Sequence, residues 1–450
     1  MVAHWDLPGP TYAGHPRSAG HRRPVRFPQG ARVEPRRDRL GNGTDGEPSS
    51  GDGHGNQQVT SYEVFERIAA GLNIDRGFLG LAYAEDGSAS LPSRSGVNPK
   101  CDPSLYPDFV GALAAMAVGS VPRNLSHLLP PPPASAEDVP KLVTRAHVGI
   151  LHEVSERHRQ FDADQGGGSC RDSALAYLRW AQGMLHSRFD SGETQRELKA
   201  ALSDMYQVVG WACHDQSDHT GARRYLTGGL TLAREIDDLV LIAGAFYRLG
   251  RVSIHQGRAQ EALRLWQLGQ IVAQDSGCLV SVAVLHANEA WAYALLGSAD
   301  RCRDAVARAE GELARVDADT VPSWARFFLA PADIDGIAGV AYSYLAAHDE
   351  HRARYAPMAI ERAQRAFTQR QSGERRSQTF DAISLTTGYL LDGQPDHAER
   401  YGHLAVDMTV EGASARAVDR LRTAATHARP HATHGGVASV LERIAALSAG

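Results

Sequence analysis

Between residues 203 and 309 one pattern of small and bulky side chains is written three times at a spacing of 40 residues. Gly210, Gly250 and Ala290 share one column, Ala222, Ala262 and Cys302 a second, and Gly229, Gly269 and Ala309 a third. Bulky residues keep the same step, with Leu226, Trp266 and Val306 in one column and Tyr206, Phe246 and His286 in another. A period of this length belongs to stacked supersecondary units, each burying its apolar face only against its neighbours. The small residues mark where the two helices of a pair approach closely, and the bulky ones fill the space beside them. Ser217, Gly257 and Gly297 mark the turn between the helices.

Small, turn, small, bulky, small, in that order, resembles the tetratricopeptide helix–turn–helix unit, whose consensus repeats at about 34 residues. The resemblance implies an all-α fold, a right-handed superhelix of helix pairs. The longer period here falls after the second helix, around residues 236–242, and predicts a longer second helix or connection. The middle unit matches best, through Phe246, Leu249, Gly250, Gly257, Ala262, Trp266 and Gly269. The third departs from the pattern, because His286 and Glu289 stand where apolar core residues are expected.

At 450 residues the chain is long for one compact core, but a solenoid adds core with every unit. A net charge of -5 argues against general coating of nucleic acid or a membrane surface. The five cysteines, Cys101, Cys170, Cys213, Cys278 and Cys302, show neither a CxxC pair nor metal-ligand spacing, and read as reduced packing residues suited to the cytoplasm. Apolar runs such as residues 109–118 are too short to span a bilayer.

Residues 1–58 are rich in Gly, Pro, Arg and His, contain no Lys and show no apolar period, which predicts disorder. At Val59 the character changes. Thr60 and Glu63 form a capping box, and Val64, Phe65, Ile68 and Leu72 lay an apolar stripe on one helical face. The stretch VTSYEVFERIAAGLNIDRGFLGLAY, residues 59–83, resembles the last helices of the Cro/repressor-like (XRE-type) helix-turn-helix domain of actinobacterial regulators, which often carry a tetratricopeptide-like C-terminal region. In that family the recognition helix lies immediately upstream and enters the major groove. Here residues 43–58 carry Gly and Pro every few positions and cannot be such a helix, so residues 59–85 read as a helix-turn-helix remnant. Two origins stay open: loss of the DNA-binding domain, or translation of the first 57 or so residues from the wrong frame of a GC-rich gene.

Residues 86–140 read as a linker with one apolar helix at residues 105–118 and a stiff polyproline spacer at Pro130, Pro131, Pro132 and Pro133. Residues 141–450 form the repeat domain. Helical periodicity resumes near Asp138 and takes in Leu142, Val143 and Ala146, and the glycines at 166–168 end that element. Beyond Ala309 a fourth pair is expected at 334–347 and 354–369 and a fifth within 378–409. Helices at 413–428 and 436–447 would cover the exposed end. No β-sheet is expected.

The sequence holds no GxSxG, HExxH, Walker loop or strand-associated GxGxxG, so neither catalysis nor a cofactor is expected. The histidine clusters His348/His351 and His427/His431/His434 lie at a turn and across Pro430, and no metal site is assigned to them. The family geometry implies instead a concave groove lined by the first helix of each pair. One position after the close-packed small residue the column reads Trp211, Arg251, Trp291. Four residues earlier stand Gln207, Tyr247 and Ala287, and four later Asp215, His255 and Leu295. Aromatic anchors around a fixed cation suit a peptide, small ligand or protein partner.

The resemblance implies a transcriptional regulator whose repeat domain senses such a partner. DNA would be bound only through an intact helix-turn-helix, as a homodimer because operators are commonly read as two half-sites. The alternative is a protein–protein interaction scaffold with no DNA binding of its own.

Overall fold

Close helix approach is visible at the columns that the repeat defines. A side chain on Gly210 would meet Leu226 Cγ at 2.7 Å, and one on Gly250 would collide with the Trp266 indole nitrogen. Trp266 lies across Gly250 and donates its indole N–H to the Tyr247 carbonyl at 3.0 Å, so the bulky residue of one helix needs the glycine of its mate. The turn positions follow the same step. Ser217, Gly257 and Gly297 are all left-handed, with φ of 62°, 74° and 71°.

The structure, a computed structural model, describes residues 113–114, 116–117, 139–165, 171–317, 321–325, 330–371, 373–412 and 414–449. Their architecture is an all-α solenoid of 14 helices packed in adjacent pairs. In chain order these are α1 (Arg145–Gln165), α2 (Arg171–Met184), α3 (Gly192–Asp215), α4 (His219–Glu235), α5 (Leu239–His255), α6 (Ala259–Ser276) and α7 (Leu279–Leu295). There follow α8 (Ala299–Leu313), α9 (Pro331–Ala346), α10 (Asp349–Gln369), α11 (Arg375–Leu391), α12 (Pro395–Gly412), α13 (Ala415–Ala428) and α14 (Gly435–Ala449). The long period is explained by long helices. In the middle unit α5 has 17 residues and α6 has 18, and the link from α6 to α7 is only Gly277 and Cys278. Aspartates cap two of the helix starts: Asp218 accepts from Gly221 N–H and Asp238 from Leu241 N–H.

Two details differ from the sequence reading. Leu142 and Val143 do not begin a helix but form a strand, β1 (Leu142–Val143), paired in parallel with β2 (Arg188–Phe189). Backbone hydrogen bonds decide it: Arg188 N–H donates to the Lys141 carbonyl at 3.2 Å and Asp190 N–H to the Val143 carbonyl at 3.1 Å, with Val143 buried and Leu142 facing solvent. The pairing leads directly into Ser191, which caps α3 by accepting from Thr194 N–H at 3.1 Å. The second concerns His286 and Glu289, which occupy the core of the third unit as a mutual pair, with Nδ1 to Oε2 at 2.9 Å.

One hydrophobic cluster runs from Met116 through Leu151, Leu178 and Leu202 to Trp266 and Leu285. Leu113 and Met116, from the apolar helix expected at 105–118, are fully buried in that cluster, so this part of the expected linker is built into the domain. The disorder expected for 1–58, the helix-turn-helix remnant at 59–85, the four prolines and the glycines at 166–168 lie outside the described residues. At the C-terminal end Val440 of α14 closes on Gly402 of α12, where an added side chain would meet Cγ1 at 2.8 Å. The neighbouring α13 does more than cover an end: Arg416 crosses the interior to pair with Asp215 of α3. No helix among the described residues is long and apolar enough to cross a membrane.

Candidate functional site

The inner faces of α3, α5 and α7 carry the aromatic and charged column, and side chains of α11 and α13 sit on it. Asp215 receives Arg416 through Nε at 2.6 Å and Nη2 at 2.5 Å, and Arg376 lies 3.8 Å away. Arg376 itself reaches Asp162 of α1 at 2.6 Å. All four of these side chains are at most 10% exposed, so the two ion pairs are interior links between the first and last parts of the solenoid. The guanidinium of Arg416 lies over the Trp211 ring at 4.9 Å. Arg420, one turn further along α13, stands over the Phe380 ring at 4.2 Å and the Trp291 ring at 5.4 Å.

Each residue expected to line the groove is accounted for. Gln207 is buried and donates to the Leu241 carbonyl, while its own oxygen accepts from Arg248. Trp211 and Tyr247 stack with ring centroids 6.1 Å apart. Arg251 is buried, donates to Asn288 Oδ1 at 3.2 Å and lies over Trp291 at 4.9 Å. Burial pushes its guanidinium down to about 10. His255 meets Trp291 edge-on at 5.2 Å, and Asp215 is held by Arg416. Trp211, Tyr247, Arg251 and Trp291 share the wall of a small void of about 100 Å³ with Arg376, Phe380, Arg416 and Arg420. Of the column, only His255 and Trp291, with Leu295 beside them, reach the main cavity.

That cavity has a volume of about 900 Å³, a size suited to a small organic ligand. Its walls come from the middle of the repeat array and from its later helices. Ile254, His255 and Arg258 belong to the second unit of the register, Leu295 and Leu296 to the third, and Val340 and Tyr344 to α9. Ile383 and Thr387 come from α11, and Arg416, Arg420, Ala424 and His427 from α13. The sequence reading missed this last set, although residues 416, 420, 424 and 427 follow a helical spacing and place cations on an otherwise apolar stripe.

The electrostatics of the cavity wall are uneven. Glu261 accepts from Arg223 at 2.5 Å and from Ser253 at 2.8 Å, and Asp419 accepts from Arg422 at 2.7 Å, so both acids of the wall are taken. Among the described residues no carboxylate stands within ion-pairing distance of Arg420. Burial, followed by repulsion from Arg251 and Arg416, lowers the basicity of that guanidinium. The histidines nearby are lowered in basicity. Burial lowers His255, with the Arg251, Arg420 and Arg416 charges adding to it, and burial likewise lowers His219 and His427. His255 Nδ1 lies 2.8 Å from the Arg251 carbonyl, which fixes that nitrogen as donor and leaves Nε2 as a free acceptor. Behind it His214 is fully buried, with neither ring nitrogen hydrogen-bonded. Trp291, 4% exposed, keeps its indole N–H without a partner.

The histidines considered for metal binding diverge. His427 faces the cavity, His431 bonds the Leu390 carbonyl at 2.9 Å, and His351 packs edge-on against Tyr355. His434 joins Asp396 and Glu399 on the surface, with donor atoms within 4.8 Å of one another and a His434 to Asp396 contact of 2.9 Å.

No family profile matches the chain, and no characterised protein matches its sequence. Among solved structures, the chain is similar to BtubC (BKLC) from P. vanneervenii at 18% identity, over 55% of this chain and 92% of that chain, with a TM-score of 0.38.

Proposed function

We propose that the repeat domain is the sensing half of a transcriptional regulator, and that what it senses occupies the interior cavity. One observation carries this: the cavity wall is shared between the second and third units and the last helices, so an occupant touches segments far apart in the array at once. Such a ligand changes the free energy of closure by its differential contacts with closed and open forms, which is what coupling to a distant output requires. The link to DNA rests on the resemblance of residues 59–83 to the end of an XRE-type domain. An extended peptide has no free run along Trp211, Arg251 and Trp291 while Arg416 and Arg420 are seated there, which favours a compact ligand over the peptide groove.

The test starts from the gene. The two other reading frames upstream of the Val59 codon are translated, and the frame-restored chain is assayed for operator binding by mobility shift. A helix-turn-helix in one of those frames, with sequence-specific binding altered by the cavity-filling change Ala424→Phe, supports the regulator. Failure to find either leaves the interaction scaffold as the better account.

A further inference from the structure

The main cavity carries at its wall a cation that neither of its acids takes up. Its two acids are engaged by Arg223 and Arg422, and Arg416 is engaged by Asp215. Arg420, half-buried at the cavity wall, has no carboxylate within ion-pairing distance among the described residues, Asp381 and Tyr344 acting on it only from further off, and its guanidinium stands 4.2 Å from the Phe380 ring and 5.4 Å from the Trp291 ring. A half-buried cation loses part of its hydration, a cost that a counter-charge or hydrogen bonds would offset. Ring faces offset part of that cost but present no acceptor for the five N–H groups of a guanidinium. Beside it stands the unpartnered Trp291 indole N–H, a second donor in a side chain more than nine-tenths buried. The Trp291 and Tyr344 rings lie near-parallel, 23° apart with centroids at 6.4 Å, and offer a flat wall close to the cation.

We infer that this cavity takes an organic oxyanion with a flat apolar body, its charged group on Arg420 and its body against the Trp291 and Tyr344 rings. The assignment rests on the sensing reading above and names the chemistry of what is sensed. The shared chemistry is the oxyanion. A carboxylate and a phosphate ester both satisfy it, since guanidinium binds either bidentately.

The experiment is calorimetric titration of the full chain with 2-naphthoate, 2-naphthyl phosphate and the uncharged 2-naphthylmethanol, repeated on Arg420→Met. At least one of the two anions is expected to bind about tenfold or more tightly than the alcohol, as expected for a hydrogen bond to a charged group. The tighter anion identifies the head group. Arg420→Met is expected to erase the preference while keeping the alcohol's affinity and the thermal midpoint, since it removes only an unpaired cation. Equal binding of alcohol and anions, no binding of any probe, or an unchanged preference in Arg420→Met would each overturn the anion seat. The sensing reading fails separately, if an anion binds as expected and operator binding by the frame-restored chain does not respond to it.

Discussion

Replacing Asp215 by Ala removes one carboxylate that holds two helices together across 201 residues of chain. Asp215 is 3% exposed, and its Oδ1 takes both Arg416 contacts at 2.6 and 2.5 Å. Without it, Arg416 keeps the Trp211 and Phe380 rings, and Arg376 keeps Asp162. At an effective dielectric of about 20, unit charges ~4 Å apart attract by roughly 4 kcal/mol, and breaking a buried pair from one side costs about 3–5 kcal/mol because the other charge stays behind. A loss of about 3–5 kcal/mol is therefore expected, read as a lower guanidinium midpoint by tryptophan fluorescence. The double change Asp215→Ala with Arg416→Met should recover a large part of that loss, since no orphan charge is left, and the cycle should show coupling of at least ~2 kcal/mol. A loss under about 1 kcal/mol, or single changes that simply add, would mean that the pair does not close the interior as described.

Ala262→Leu overpacks a fully buried close-approach position between α5 and α6 and should cost roughly 1–3 kcal/mol, measured as a fall in Tm. Stability should drop as the medium is acidified from about pH 7 towards 5: burial holds His214 and His255 neutral in the fold, whereas in the unfolded chain they take up protons near pH 6.5, so the loss sets in below that value. Each such histidine contributes a slope of about 1.4 kcal/mol per pH unit, and His214→Phe should remove one of them in a pH series of urea midpoints. The chain with its given residues 1–58 should bind duplex DNA only feebly and without sequence preference in a mobility-shift assay, because its glycines and prolines cannot form a recognition helix; tight, sequence-specific binding would overturn this.

The repeat was legible because it is steric. Gly250 is small since Trp266 lies over it, and a side chain at either position reveals its partner by size alone. The left-handed turns at Ser217, Gly257 and Gly297 were legible for a similar reason, being local and tied to the helix pair they close. The column of Trp211, Arg251 and Trp291 could be read from the register, but what faces it could not. Arg416, Arg420 and Phe380 come from the irregular last pairs, and the link from Asp215 to Arg416 has no periodicity to betray it. The clue lay in Asp215 itself, an acid at the column position occupied by His255 and Leu295 in the next units, which needs a counter-charge if it is buried. The strand at Leu142–Val143 was missed because two residues are too few to separate a period of two from the start of a helix.

Closure of the solenoid on its own interior is most directly measured as a distance between α4 and α13. Spin labels on non-cysteine handles at the exposed Thr220 and Arg422 give that distance by pulsed electron resonance. Closure predicts a narrow distribution centred below ~30 Å, since the Asp215 to Arg416 contact is separated from Arg422 by only about 9 Å of helix. An open superhelix sets α3 and α13 five inner-helix steps apart, roughly 40–50 Å at 8–10 Å per packed helix. A distribution centred there would contradict both the closed interior and the cavity built from it.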